Sequence, residues 1–174
     1  MRKSWLALAL STALFALPAA AQVDETEALP APRISNFSGK IVPRFEHLED
    51  NLAYGRRGPS KEYPIAWVYE RRNLPLLVIK ETEDWWRVRD HDGDESWMSE
   101  TLFHASEDVL IRSGTSLRQK PDDEAVIIAH LEAGVLARLV SPEGEWLRIR
   151  AEDFTGYVRL SDVWGHLDTQ LIGE

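Results

Sequence analysis

The residues best suited to chemistry in this chain are aromatic and basic, and they crowd into one region. The aromatic set is Tyr63, Trp67, Trp85 and Trp97, and the basic set is Arg56, Arg57, Lys61, Arg71 and Arg72. Exposed tryptophan and tyrosine rings suit extended peptides or the faces of sugars. Arginine can hold a carboxylate with two parallel hydrogen bonds. The pattern predicts a shallow aromatic groove beside a basic loop, and a ligand that carries carboxylates.

Both sets also have a purely structural interpretation. Small domains depend on large aromatic rings for burial, and a run of charges is usually a solvated loop. Trp85 and Trp86 are adjacent, so in a strand they must point to opposite faces. One ring then fills the core, while the other lies on the surface or against a neighbouring domain.

Catalytic, metal and cofactor sites are not predicted. The chain has no cysteine, which excludes disulfides, a cysteine nucleophile and thiolate metal ligands. Residues 91–95 are rich in oxygen ligands but lack the ligand order of a calcium loop, so they are predicted to be an acidic hairpin tip. The histidines have no zinc-hydrolase spacing, and neither a nucleophile elbow nor a phosphate loop is present. The sequence therefore predicts a protein that is not an enzyme.

The elements that must position these residues are short strands in two copies. Residues 85–89 are echoed by residues 146–150, and Trp97 is echoed by Tyr157. Within both copies the apolar residues alternate with polar ones, which is typical of strands with one buried face. Asp92-Gly93 is a preferred hairpin turn. The duplication predicts two small, partly open β-barrels.

The order and spacing of these segments resemble the bacterial SH3 domain. The resemblance rests on Asn51-Leu52, Gly58-Pro59, residues 63–69, Leu74-Pro75, residues 85–90, Asp92-Gly93 and residues 96–98 in the first copy, and on Leu117-Arg118, Lys120-Pro121, residues 131–134, 145–149 and 156–158 and Ser161-Asp162 in the second. It implies an all-β fold of two tandem SH3-like barrels, over residues 41–105 and over residues 106–174 with a short tail. Ser96 stands where the family usually has glycine, and the second copy lacks the Tyr-Pro…Trp segment. We therefore expect the copies to differ in binding.

The amino-terminal segment predicts export. Arg2 and Lys3 precede an apolar run that is too short to span a bilayer, and residues 19–21 offer a small-residue cleavage site. Residues 1–21 are thus predicted to be a signal peptide, cleaved near Ala21, and residues 22–40 a disordered leader. The expected location is the periplasm or the exterior, with no membrane span in the mature chain.

Charge narrows the expected partners. The net charge of −9 becomes −11 without Arg2 and Lys3, which disfavours nucleic acid and anionic lipid as partners. The resemblance implies recognition of cell-envelope material. The leading expectation is a non-enzymatic exported module that binds a peptide or protein, and the alternative is a peptidoglycan-binding protein. A third interpretation is an enzyme or solute sensor at the seam between the copies, which requires an enclosed polar pocket there instead of a shallow groove.

Overall fold

Two seven-stranded antiparallel sheets and one short hairpin make up the computed structural model, which describes residues 29–167. In the leader and the first domain (domain one) the strands are β1 (Arg33–Ile34), β2 (Ile41–Val42), β3 (Arg44–Leu48), β4 (Ala53–Arg56), β5 (Ile65–Tyr69), β6 (Pro75–Glu81), β7 (Trp85–Arg89), β8 (Glu95–Ser99) and β9 (Phe103–His104). In domain two they are β10 (Asp108–Ile111), β11 (Thr115–Arg118), β12 (Ile127–Leu131), β13 (Leu136–Glu143), β14 (Trp146–Ala151), β15 (Phe154–Arg159) and β16 (Val163–Trp164). A 3-10 turn precedes β9, and another precedes β16. The predicted all-β fold of two tandem SH3-like units is confirmed.

The two sheets have the same topology. Their strand orders are β5-β4-β8-β7-β6-β3-β9 and β12-β11-β15-β14-β13-β10-β16. Arg56 pairs with Trp97 where β4 meets β8, and Arg118 pairs with Tyr157 where β11 meets β15. A register irregularity follows Gly55 in the first sheet and Leu117 in the second. The strand register therefore gives a residue-by-residue correspondence between the domains.

Part of the predicted disordered leader is ordered. Strands β1 and β2 pair with each other, and the turn between them is closed by a hydrogen bond of 2.9 Å from the Ser35 amide to the Lys40 carbonyl oxygen. The hydroxyl of Ser38 donates to Glu81 at 2.7 Å, which ties the hairpin to β6. Gly39 has a φ of 70°, a conformation that glycine adopts without strain. Local turn bonds and a buried carboxylate partner thus order a segment that is poor in large apolar residues. The predicted signal peptide lies outside the described residues.

Each sheet wraps around its own core. Trp86 is 7% exposed and packs with Val88 and Met98 in domain one, where Trp85 lies on the opposite, outer face of β7. In domain two, Leu147 and Ile149 take the inward positions of β14. The alternation in the sequence therefore predicted the buried face of both strands.

The two domains share a packed seam. Leu110 of β10 belongs to the core of domain one, and the partly buried Trp164 packs against the same core. The indole nitrogen of Trp164 donates to the Pro75 carbonyl oxygen at 3.0 Å, and its ring meets Phe45 edge-on at 5.0 Å between centroids. Domain one thus buries part of its apolar surface with residues of domain two. Over residues 29–167, no helix has the length and apolar character needed to cross a bilayer.

Candidate functional site

A concave surface of about 400 Å³ lies on domain one. Its lining consists of Arg56, Arg57, Ala66, Trp67, Arg87, Glu95, Ser96 and Trp97. We call this surface the tryptophan groove. Of the eight sequence-predicted binding residues, the structure gathers four here: Trp67, Trp97, Arg56 and Arg57. Whether they bind a ligand stays a prediction.

Four strands position the two tryptophans of the groove. Trp67 lies on β5 opposite Gly55 of β4, and Trp97 lies on β8 opposite Arg87 of β7. The groove wall is tightly packed at Gly55, because a Cβ atom there would lie 2.2 Å from the Ser96 hydroxyl oxygen. Domain two has the reverse arrangement at the same place, with Leu117 in β11 and Gly156 in β15. The serine that replaces the expected glycine in domain one is therefore accommodated by a glycine on the neighbouring strand.

The groove is locally positive. Glu95 is held by Arg87 at 2.5 Å and by Arg89 at 2.8 Å, so its charge is already matched. Lys80 lies over the Trp97 ring, with Nζ 6.0 Å from the centroid. The guanidinium of Arg57 is exposed and has no hydrogen-bond or ion-pair partner among residues 29–167. Arg57 is therefore the cation of the groove best placed to receive a ligand carboxylate.

Arg56 has a structural contact in addition to its place in the groove. Its Nη1 atom donates to the carbonyl oxygens of Tyr63 at 2.7 Å and Lys61 at 3.0 Å, which closes the loop between β4 and β5. In domain two Arg118 donates in the same way to the Ala125 carbonyl oxygen at 2.9 Å. Because both domains repeat this contact, Arg56 supports the loop that carries Arg57.

The other predicted residues lie elsewhere. Tyr63 is exposed and its ring packs over Gly58, where a Cβ atom would lie 2.6 Å from ring carbons. Trp85 lies on the outer face of β7 with Arg87, but it does not line the groove. Arg71 donates to the Gly134 carbonyl oxygen at 2.5 Å across the seam, and Arg72 pairs with Glu49 at 2.9 Å. The structure thus divides the predicted basic cluster in two, since Arg56 and Arg57 precede β5 whereas Arg71 and Arg72 follow it.

Arg87 is a groove residue that the sequence prediction missed. It occupies an outward position of β7, between the inward Trp86 and Val88, and it is directly opposite Trp97. The signal was available in the alternation of residues 85–89, where every outward side chain is a tryptophan or an arginine. Cross-strand pairing, which the sequence does not give, was needed to place Arg87 beside Trp97.

Domain two does not reproduce the tryptophan groove. By strand register, Ala129 corresponds to Trp67 and Tyr157 to Trp97. The amides of Arg57 and Gln119 donate to equivalent carbonyl oxygens, of Pro64 and Val126, so Gln119 takes the place of Arg57. Domain two therefore lacks both indole rings, one of them replaced by the phenol of Tyr157, and it lacks the unpaired guanidinium.

A recess on domain two is lined by an arginine, Arg159, that is already paired within the domain. The guanidinium of Arg159 lies 4.3 Å from the ring centroid of Trp146, binds Glu145 at 2.8 Å and also binds Asp123. The hydrogen bond from Arg159 holds the pKa of Asp123 below its usual value. Trp146 is only 7% exposed but lies outside the apolar core of the domain. A cation therefore covers one face of this ring, which the sequence repeat did not reveal.

In the acidic turn after β7, the carboxylate of Asp90 is already occupied by hydrogen bonds from within the protein. Asp90, His91 and Asp92 offer atoms that lie within 4.8 Å of one another. The Asp90 carboxylate accepts hydrogen bonds from the amides of Asp92 at 3.1 Å and Asp94 at 2.9 Å, and from the Tyr69 hydroxyl at 3.2 Å. Burial raises the pKa of both Asp90 and Tyr69. The arrangement is that of a hairpin tip stabilised by a buried carboxylate.

The seam between the domains also carries a recess, of about 340 Å³. Apolar groups from both domains, among them Ile41, Pro43, Phe45, Leu139 and Leu167, form most of its wall. The recess is open to solvent. It differs from the enclosed polar pocket that an enzyme or solute sensor at the seam would require.

Two copies of a small β-barrel, each with the same strand order and 3-10 turn, define the SH3-like class. A sequence model of the family described as "Bacterial SH3 domain" matches residues 49–103 and 113–165. The chain therefore belongs to the bacterial SH3 family and contains two of its domains in tandem.

Similarity to other known proteins is low. NlpC2 from Trichomonas vaginalis is 12% identical, with a TM-score of 0.35 and coverage of 72% of this chain and 50% of that one. An NlpC/P60 family protein from Bacillus cereus ATCC 10987 is 13% identical, with a TM-score of 0.33 and coverage of 69% and 55%. The chain thus spans about half the length of the solved structures it matches. No curated protein sequence matches it. TM-scores this low support no inference about function.

Proposed function

We propose that the protein is an exported, non-enzymatic binding module of the bacterial cell envelope that recognises a peptide or protein segment through the tryptophan groove. The observation that carries this proposal is the position of Trp67 and Trp97 beside the unpaired guanidinium of Arg57. Membership of the bacterial SH3 family, whose domains are binding modules, supports it.

The chemistry of the groove favours a ligand with both an apolar part and an acidic part. Trp67 is 43% exposed, so its indole face is open to stacking or apolar contact. Arg57 offers a planar fork of donors that fits a carboxylate. Because the whole chain has a net charge of −9, a local positive surface selects acidic ligands against a background that repels them.

A peptidoglycan ligand is the second candidate. Its sugar rings present apolar faces that stack on an exposed indole such as that of Trp67, and its peptides carry carboxylates for Arg57. The two candidates therefore make the same groove contacts. They differ in whether isolated cell-wall sacculi compete with a soluble acidic peptide for the protein.

The test is sedimentation of the protein with purified sacculi at low and at high salt, beside titration of an acidic peptide followed by calorimetry. Variants Arg57→Glu and Gln119→Glu form a matched pair, since they introduce the same carboxylate at equivalent positions of the two domains. Binding of either ligand should be weakened by about tenfold or more in Arg57→Glu, because a carboxylate contact is replaced by repulsion. Gln119→Glu should bind like the original protein. Equal binding by both variants would exclude the groove as the site.

Export is tested separately. The amino terminus of the protein isolated from cells should begin near Gln22, and the protein should be released with the contents of the periplasm or the medium. A chain that retains residues 1–21 and stays with the cytoplasm would contradict export without affecting the groove.

A further inference from the structure

The two sheets each end in one long strand. β5 in domain one and β12 in domain two are five-residue strands at the end of their sheets, whereas the opposite ends are the two-residue strands β9 and β16. A short edge strand is one way in which proteins avoid pairing with other chains. Within residues 29–167, β5 pairs with β4 alone, so alternate N–H and C=O groups along its other side face outward.

The β5 edge has one feature that protects edge strands, a register irregularity at Ala66 between the pairs Ile65–Arg56 and Trp67–Gly55, but it has no protecting charge. Its five residues contain no charge, no proline and no glycine, and Ile65, Trp67 and Val68 are all exposed. Tyr54 on β4 is exposed as well and lies directly opposite Val68. An uncharged, exposed edge of this kind is a template for an added strand.

The same edge borders the tryptophan groove. Trp67 belongs to both, and Ala66 of β5 lines the groove. A strand laid along β5 would direct alternate side chains to opposite faces of the sheet. One set would therefore contact the Trp67 ring, and the other would continue the exposed surface of Tyr54 and Val68.

Positive charge lies at one end of the β5 edge. Arg57 and Lys61 lie in the loop that leads into β5, both are exposed, and neither side chain has a partner among residues 29–167. The amide of Arg57 donates to the Pro64 carbonyl oxygen at 3.0 Å, which fixes this arginine beside the start of the strand. Charge complementarity therefore favours a ligand with an acidic residue at the end that lies next to Ile65.

The corresponding edge in domain two has the same length and also lacks proline and glycine, but it differs in its aromatic ring and in its charge. β12 contains His130, Ala129 replaces Trp67, and Gln119 replaces Arg57. The loop aspartate Asp123 is already bound by Arg159. Of these two edges, β5 is therefore the one that offers an acidic ligand both an indole ring and an unpaired guanidinium.

We propose that β5 binds an extended acidic peptide by strand addition, with a ligand carboxylate on Arg57 and a neighbouring side chain on Trp67. Main-chain hydrogen bonds to β5 supply affinity, and the two side-chain contacts supply selectivity. This inference rests on the proposed function and specifies how the groove receives its ligand.

The experiment uses four capped peptides of the same length. The first has one glutamate followed by alternating valine and threonine, and the second has lysine in place of glutamate. The third and fourth keep the glutamate and carry N-methyl groups on one alternate set of backbone amides or on the other. Affinity is measured by calorimetry, and exchange of individual backbone amides is measured by NMR with the first peptide bound.

Strand addition predicts that the glutamate peptide binds and that one methylated peptide loses about tenfold or more in affinity, while its counterpart binds normally. Amides within residues 65–69 should exchange at least about tenfold more slowly in the complex, and those of residues 127–131 should be unchanged. The lysine peptide and the Arg57→Glu variant should each bind at least about tenfold more weakly. The Gln119→Glu variant should bind normally.

Each other result contradicts the proposal in a distinct way. Equal affinity of both methylated peptides, with no change at residues 65–69, would show groove binding without strand addition and would leave the proposed function standing. Equal affinity of the lysine and glutamate peptides would contradict the preference for an acidic ligand. Slower amide exchange at residues 127–131 in the complex would contradict the restriction to domain one. Failure of every peptide to bind would overturn strand addition, while sedimentation with sacculi would still decide the proposed function.

Discussion

His47 and Asp108 join the two domains directly. The Nε2 atom of His47 lies 2.7 Å from the carbonyl oxygen of Asp108 at the seam. Because a carbonyl oxygen can only accept, Nε2 carries the proton, and the other ring nitrogen, Nδ1, is buried without a partner in the described chain. His47 as a whole is 3% exposed. A second proton on this histidine would place an unpaired donor and a charge inside the seam.

Stability should therefore fall as the pH drops below about 6.5. Burial lowers the pKa of His47 from its usual 6.5, so the unfolded chain takes up the proton first. The contribution of neutral His47 is fully present above pH 6.5 and is lost as the pH falls toward the lower pKa of the folded state. The groups that face the ring are Asp108 and Glu46, which favour protonation, and His104, which opposes it. Urea unfolding at several pH values would measure this dependence.

The matched control for the pH dependence is His47→Gln. This variant keeps a side-chain N–H for Asp108 but does not titrate between pH 5 and 7. The free energy of unfolding should therefore vary less with pH in the variant than in the original protein. Identical pH profiles would show that His47 does not titrate differently in the folded and unfolded states.

Adjacent tryptophans of β7 should differ sharply in their contribution to stability. Trp86 is buried in the core and stacks on Phe103 with 5.1 Å between centroids, whereas Trp85 is half-buried on the outer face. Trp86→Ala should lower the free energy of unfolding by about 3–5 kcal/mol, because it leaves a cavity in a small core. Trp85→Ala should cost clearly less, in chemical denaturation of the two variants side by side. Equal losses would contradict the assignment of the two faces.

The sequence predicts the inward and outward faces of strands well but predicts cross-strand neighbours poorly. The alternation of residues 85–89 and 146–150 sets Trp86 and Leu147 on the opposite face from their neighbours, and both side chains are buried. The grouping of Arg57 with Arg71 failed, because a five-residue strand of roughly 17 Å separates the two positions. Nor does the sequence show that Arg159 covers Trp146, since that contact depends on the β14–β15 register. Local patterns define elements, whereas the site depends on which elements meet.

Gly55 and Ser96 should be energetically coupled in their effect on the free energy of unfolding, because the small residue at one position makes room for the larger one at the other. Gly55→Ala brings a Cβ atom to 2.2 Å from the Ser96 hydroxyl oxygen and 2.7 Å from its Cβ atom. Overpacking of this kind should destabilise the protein by about 1–3 kcal/mol. The double variant Gly55→Ala with Ser96→Gly should recover most of that loss, as domain two already combines Leu117 with Gly156. A double-mutant cycle of unfolding free energies measures the coupling, and strict additivity would contradict the steric explanation.

Trp164, a residue of domain two, should stabilise domain one. It lies on β16 of domain two, but its indole nitrogen bonds the Pro75 carbonyl oxygen and its ring packs on Phe45, both in domain one. Trp164→Ala removes a partly buried ring and leaves that carbonyl oxygen without its donor, for an expected loss of about 2–4 kcal/mol. Trp67→Ala, which truncates an exposed ring of the groove, is the matched control and should cost less than about 1 kcal/mol. Amide exchange resolved by residue is the decisive measurement, because the loss should extend to β3 and β6. Faster exchange confined to β10 and β16 would show that the domains unfold independently and that the seam contributes little to domain one.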